Sequence, residues 1–133
     1  MKTLSKARRL RRQAGALSVE VALLFAFVLA PMLAGVVDFG QILLAQAMVT
    51  RAARQGALAA SRDQDATLAV TRYLENAGYD TARMSVTTTG TGVSGTPITV
   101  SVRYDTSGMV IIPWGSMSPG MEAVVGSATE RKS

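Results

Sequence analysis

The sequence predicts an α+β protein: a long N-terminal helix that crosses a membrane and continues as a stalk, then a small head built on an antiparallel sheet. Three observations carry this. Residues 21–37, VALLFAFVLAPMLAGVV, hold no charged side chain. The fourteen residues before Gly15 include Lys2, Lys6, Arg8, Arg9, Arg11 and Arg12 and no acid. Far downstream, Ile98-Thr99-Val100-Ser101-Val102-Arg103-Tyr104-Asp105 alternates apolar with polar, the period of a half-buried strand.

The basic leader comes first. The whole chain has a net charge of +5, but residues 1–15 alone carry +6, and the remainder sets eight basic side chains against nine acidic ones. Clustered Lys and Arg can meet phosphate on nucleic acid. Here they abut an apolar run without a linker, which is the pattern of a positive-inside membrane signal. We therefore expect no nucleic-acid partner, a cytoplasmic leader and the rest of the chain outside.

The apolar segment, residues 16–37, would span about 33 Å as a helix, enough for a hydrocarbon core. A buried helix of a soluble domain would show a polar face, and none exists between Val21 and Val37. A secretory signal would have a shorter apolar core and a small-x-small cleavage site, and Met32-Leu33-Ala34 fits that poorly. Pro31 lies within the run, where neighbouring helices can accommodate a missing donor.

Residues 38–62 read as an amphipathic helical stalk. Phe39, Ile42, Leu43, Val49, Ala53 and Ala57 approximate one apolar stripe, with Gln41, Gln46, Arg51, Arg54 and Gln55 outside it. Gly40 and Gly56 lower helix propensity and mark either close packing or flexibility.

Residues 63–133 then form the head. Asp63 or Asp65 caps a helix with apolar positions at Ala66, Ala69, Val70, Tyr73, Leu74 and Ala77, and Gly78 ends it. Strands are expected at Met84–Thr88, Ile98–Asp105 and Ala123–Thr129, with a glycine-bearing loop at Thr89–Thr96. The apolar segment Met109–Trp114 is expected in the core, because so small a head needs its large side chains inside.

Composition argues against catalysis. The chain has neither cysteine nor histidine, which removes disulfides, the usual general base near neutral pH and the commonest metal ligands. No phosphate-loop motif occurs. The carboxylates Asp63 with Asp65, and Glu75 with Asp80, fit capping and solvation better than a catalytic pair. We expect no enzyme activity, metal or cofactor.

Two local patterns point to a family. Gly15-Ala16-Leu17-Ser18-Val19-Glu20 places a lone carboxylate five residues after a glycine, at the entrance to the apolar run. An acid there is costly in lipid, which invites a functional reading. This arrangement resembles the processing site of type IV-like prepilins. Asp38-Phe39-Gly40 after the span, and Ala52-Ala53-Arg54-Gln55-Gly56-Ala57 at the stalk end, resemble the TadE-like family of pseudopilins from tight-adherence (Tad) pilus systems. The closing stretch Val125–Arg131 loosely resembles their terminal strand. Val21 stands where major Tad pilins have an aromatic residue after the glutamate, which suits a minor pilin better than the main subunit.

The resemblance implies a pilin-like fold, cleavage between Gly15 and Ala16 by a prepilin peptidase, and a role for Glu20 in subunit register. It implies as partners the membrane, that peptidase, other Tad pilins and pseudopilins, and the inner-membrane assembly platform. The competing reading is a membrane-tethered or secreted binding domain unrelated to pili.

Overall fold

The computed structural model describes residues 2–113, 116 and 120–133. Its elements in order are helix α1 (Lys2–Ser61), helix α2 (Ala66–Asn76), a 3-10 turn (Thr81–Arg83), and strands β1 (Met84–Thr89), β2 (Pro97–Asp105) and β3 (Ala123–Arg131). The chain divides into two units, Met1–Val37 and Asp38–Ser133.

The first unit is helical, and Pro31 lies inside its helix without ending it. Among the described residues its large apolar side chains are exposed: Leu17, Leu24 and Leu33 are uncovered, and Phe27 is 86% exposed. The helix is long and apolar enough to cross a membrane.

The second unit packs a three-stranded antiparallel sheet, order β1-β2-β3, on the later turns of α1. Alternation decides which sheet face is inward. Ile98, Val100, Val102 and Tyr104 of β2 are buried, while Arg103 and Asp105 are exposed. Val102 pairs with Val86 on β1 and with Gly126 on β3, so one row of side chains crosses the sheet. On the opposite face Thr99 and Thr129 hydroxyls bond across the strands at 2.8 Å.

From α1, Ala45, Val49, Ala52, Ala53 and Ala57 are buried in the same core, joined by Val70 and Leu74 of α2. Ile42 packs against this core, whereas Phe39 and Leu43 are about half exposed. The apolar stripe expected from the sequence holds at Ile42, Val49, Ala53 and Ala57 and is corrected at Phe39 and Leu43. The buried seam follows small residues, because only these let a strand approach the helix closely.

Both helices end by the same device. After α1, Gln64 N–H donates to Ala59 C=O at 2.9 Å and Asp63 N–H to Ala60 C=O at 3.2 Å. After α2, Tyr79 N–H donates to Leu74 C=O and Gly78 N–H to Glu75 C=O, each at 2.9 Å. These are Schellman pairs, which require a left-handed residue beyond the cap. Gly78 takes that position at φ +82°, and Asp63 takes it after α1 at φ +59°. Asp65 is the residue that caps α2, accepting from Thr67 and Leu68 N–H. The Asp63 carboxylate is instead paired with Lys132.

The segment after β2 departs from expectation. Met109 packs against the core, but Ile111 is 67% exposed and Pro113 is exposed. Trp114 lies outside the described residues. The expected burial of Met109–Trp114 therefore holds at its start and fails at Ile111, for a reason that lies on α1.

Candidate functional site

Glu20 lies on α1 with its side chain exposed, at the start of the uncharged run. In a helix, residues four apart lie on one face with Cβ atoms about 5–6 Å apart. A group at position 16 is therefore within a side chain's reach of Glu20. Gly15 is exposed and helical; the side chain of Ala16 lies outside the described residues.

The second cluster of sequence-selected residues begins at Asp38. It follows the apolar run directly, yet its side chain is fully buried. One carboxylate oxygen accepts the N–H of Ile111 and the other the N–H of Ile112, both at 2.8 Å. Charge-assisted hydrogen bonds of this kind are roughly twice as strong as neutral ones. They satisfy two donors of a turn that has no strand partner to take them. This is why the apolar loop stands beside the helix instead of folding inward. At the loop's base, Thr106 N–H donates to Glu122 C=O and its hydroxyl to Met121 C=O, at 2.9 and 3.0 Å. The adjoining Asp105 carboxyl is held below its ordinary pKa, first by the Ser107 hydroxyl, then by the Ser107 N–H.

Phe39 and Gly40 make no comparable contacts: Phe39 is half exposed, and a Cβ at Gly40 would meet nothing within 4 Å. Gly56 is different. A Cβ there would fall 2.7 Å from Val70 Cγ2 and 3.1 Å from Val100 Cγ1, so the missing side chain admits both α2 and β2. Ala52 and Ala53 are fully buried beside it, and Arg54 is exposed. The structure thus joins Ala52, Ala53 and Gly56 in one packing seam and leaves Arg54 in solvent.

Sequence reasoning missed Gly126. A Cβ at this β3 position would fall 2.7 Å from both Thr50 Cα and Thr50 N, and 2.8 Å from Val49 C. Strand backbone therefore lies directly on helix backbone. Beside the crossing, Gln46 Nε2 donates to Val125 C=O at 2.8 Å, covering a carbonyl of an edge strand. A glycine inside an otherwise strand-like run was the available signal.

An open groove of about 330 Å³ is lined by residues including Asp63, Asp65, Thr88 and Lys132. Among the described residues, no group of three His, Cys, Asp or Glu side chains could hold a metal.

With this geometry in view, residues 15–58 match the family model of TadE-like proteins, about a third of the chain. No curated protein matches the chain, and no solved structure does. The matched segment begins at Gly15, contains Glu20 and Asp38, and ends within the seam at Gly56 and Ala57. Across residues 15–58 the chain is similar to TadE-like proteins.

Proposed function

We propose that this protein is a minor pilin or pseudopilin, cut between Gly15 and Ala16 by a prepilin peptidase and acting in the assembly, initiation or tip of a Tad-type pilus for surface adherence. The observation that carries the reading is the exposed Glu20 at the entrance to an uncovered apolar helix, inside the TadE-like segment.

The mechanism follows from electrostatics. Before cleavage, the basic leader holds the chain in the cytoplasmic membrane with its N-terminus in the cytoplasm. Cleavage removes a charge of +6 and creates an amine at Ala16. In a low-dielectric surrounding the Glu20 carboxylate gains most from a cationic partner. The new amine, from the same chain or a neighbouring pilin, supplies it. Pairing with a neighbour fixes subunit register. The exposed apolar faces of residues 17–37 then pass from lipid into contact with other pilin helices, delivered by the inner-membrane assembly platform. The domain plan is a leader of residues 1–15, a transmembrane helix of 16–37, a stalk of 38–62 and a head of 63–133.

Mass spectrometry of the protein from membranes with and without the peptidase tests the cut. A peptidase-dependent start at Ala16 is expected. An intact N-terminus in both would make the chain an uncleaved anchor. Glu20→Ala should insert in the membrane normally but fail to enter the pilus, and normal incorporation would refute the register role.

A further inference from the structure

The loop after β2 has a property that the pilus reading does not use. Its Ile111 side chain is exposed, and its backbone is fastened to the first residue after the uncharged run. We propose that Ile111, with Phe39 and Leu43, forms a lipid-contacting anchor, held at the membrane surface by Asp38. This rests on the reading that residues 16–37 span the bilayer.

Depth is set by chain connectivity. Residues 16–37 measure about 33 Å as a helix against a hydrocarbon core of about 30 Å. Val37 is then at the outer edge of the hydrocarbon, and Asp38 is the next residue. Ile111 N lies 2.8 Å from the Asp38 carboxylate. An isoleucine so placed is within a side chain's length of the interface, and it is 67% exposed. Phe39 is adjacent to Asp38 and half exposed, and Leu43 lies about one turn further along α1. Phe39 and Ile111, from two segments, are thus both exposed close to Asp38, with Leu43 one turn further out.

The carboxylate resolves a difficulty such an anchor raises. Backbone donors brought near hydrocarbon lose water, and each unsatisfied one is costly. Asp38 accepts the N–H of both Ile111 and Ile112 with its two oxygens, and is itself fully buried. The loop can therefore present Ile111 to acyl chains while its amides stay bonded. Lipid is favoured over a protein neighbour because Asp38, which holds Ile111, directly follows the uncharged run in the chain.

The chain has no cysteine, so single-cysteine spin labels report one site each. The full chain is labelled separately at Phe27→Cys, Ile111→Cys and Thr87→Cys, in vesicles of phosphatidylethanolamine and phosphatidylglycerol at high lipid excess. Collision with oxygen and with a water-soluble nickel reagent gives the depth of each label. The expected result is loss of nickel accessibility at positions 27 and 111, with full accessibility at 87. Introducing Asp38→Ala should restore nickel access at 111 alone. A shielded 27 with a water-accessible 111 overturns the anchor while the spanning reading stands. A water-accessible 27 overturns both. Shielding at 111 that disappears on further dilution with lipid means a second copy covers the loop, and also overturns the proposal.

Discussion

Two stretches of α1 use apolar residues in opposite ways. Before Asp38 the helix carries large ones, Leu17, Phe25, Phe27 and Leu33, and none is covered by the rest of the chain. After Asp38 the ones it buries are mainly small, with Ala45, Ala52, Ala53 and Ala57 fully buried. Large side chains maximise contact with surroundings supplied from outside. Small ones contribute less area each but let a sheet lie on the helix backbone, as Gly126 does at Thr50. Burial energy follows from what a side chain meets, not from its hydrophobicity alone.

The sharpest way to break this contrast is at the crossing. Gly126→Val places atoms where Thr50 and Val49 backbone already stand, so helix and strand must separate. A loss of about 4 kcal/mol, or failure of the second unit to fold, is expected, beyond ordinary overpacking. Guanidinium unfolding of the full chain in detergent micelles measures it. A mild loss would mean the seam tolerates separation.

Next comes a matched pair. Leu74→Ala empties a fully buried site and should cost about 2–5 kcal/mol. Phe27→Ala should leave the same unfolding transition unmoved, since Phe27 is exposed and belongs to the first unit. A shift with Phe27→Ala would contradict the division into two units.

Asp38→Ala removes the charge-assisted bonds to Ile111 and Ile112 among others, these costing about 1.5–3 kcal/mol each at most, less where water replaces them. Hydrogen exchange should accelerate at Ile111 and Ile112 while Val100 and Val102 stay protected. Uniform acceleration would show that the loop is integral to the core.

The two α1 glycines sharpen the comparison further. Gly40→Ala meets no atom and should stabilise by about 1 kcal/mol through helix propensity. Gly56→Ala gains the same propensity but presses on Val70 Cγ2, and should give a net loss of about 1 kcal/mol. Equal effects in the unfolding assay would remove Gly56 from the seam.

The smallest effect is on pH dependence. Burial, and then the neighbouring Tyr104, raise the pKa of Tyr79, whose ring meets that of Tyr104 edge-on at 5.4 Å. The native state then keeps this proton longer than the unfolded chain does. Its contribution is complete below the unfolded tyrosine value of about 10 and is lost as pH rises through the folded value. Tyr79→Phe should flatten the alkaline limb of the stability profile; an unchanged limb would assign it to other groups.

Local patterns made much of the fold legible. Alternation identified β2, helical spacing with an acid before it identified α2, and an unbroken apolar run identified the exposed stretch of α1 before Asp38. Gly78 was readable as a helix end because glycine adopts positive φ without strain. Asp63 was not, because its sequence fits an N-cap equally well, and only the Schellman bonds and the Lys132 pair show which role it takes. The stalk stripe was misread at Phe39 and Leu43. Helical period locates a face, but which face is buried depends on where the strands cross.

What the sequence determined by itself was therefore the order and type of the elements and the apolar character of residues 21–37, because each rests on interactions between near neighbours or with solvent. Tertiary structure alone decided that small residues form the seam, that Gly126 rests on Thr50, and that Asp38 holds Ile111 outward. The last two join positions more than seventy residues apart, and no local period or propensity encodes which distant backbone will be there.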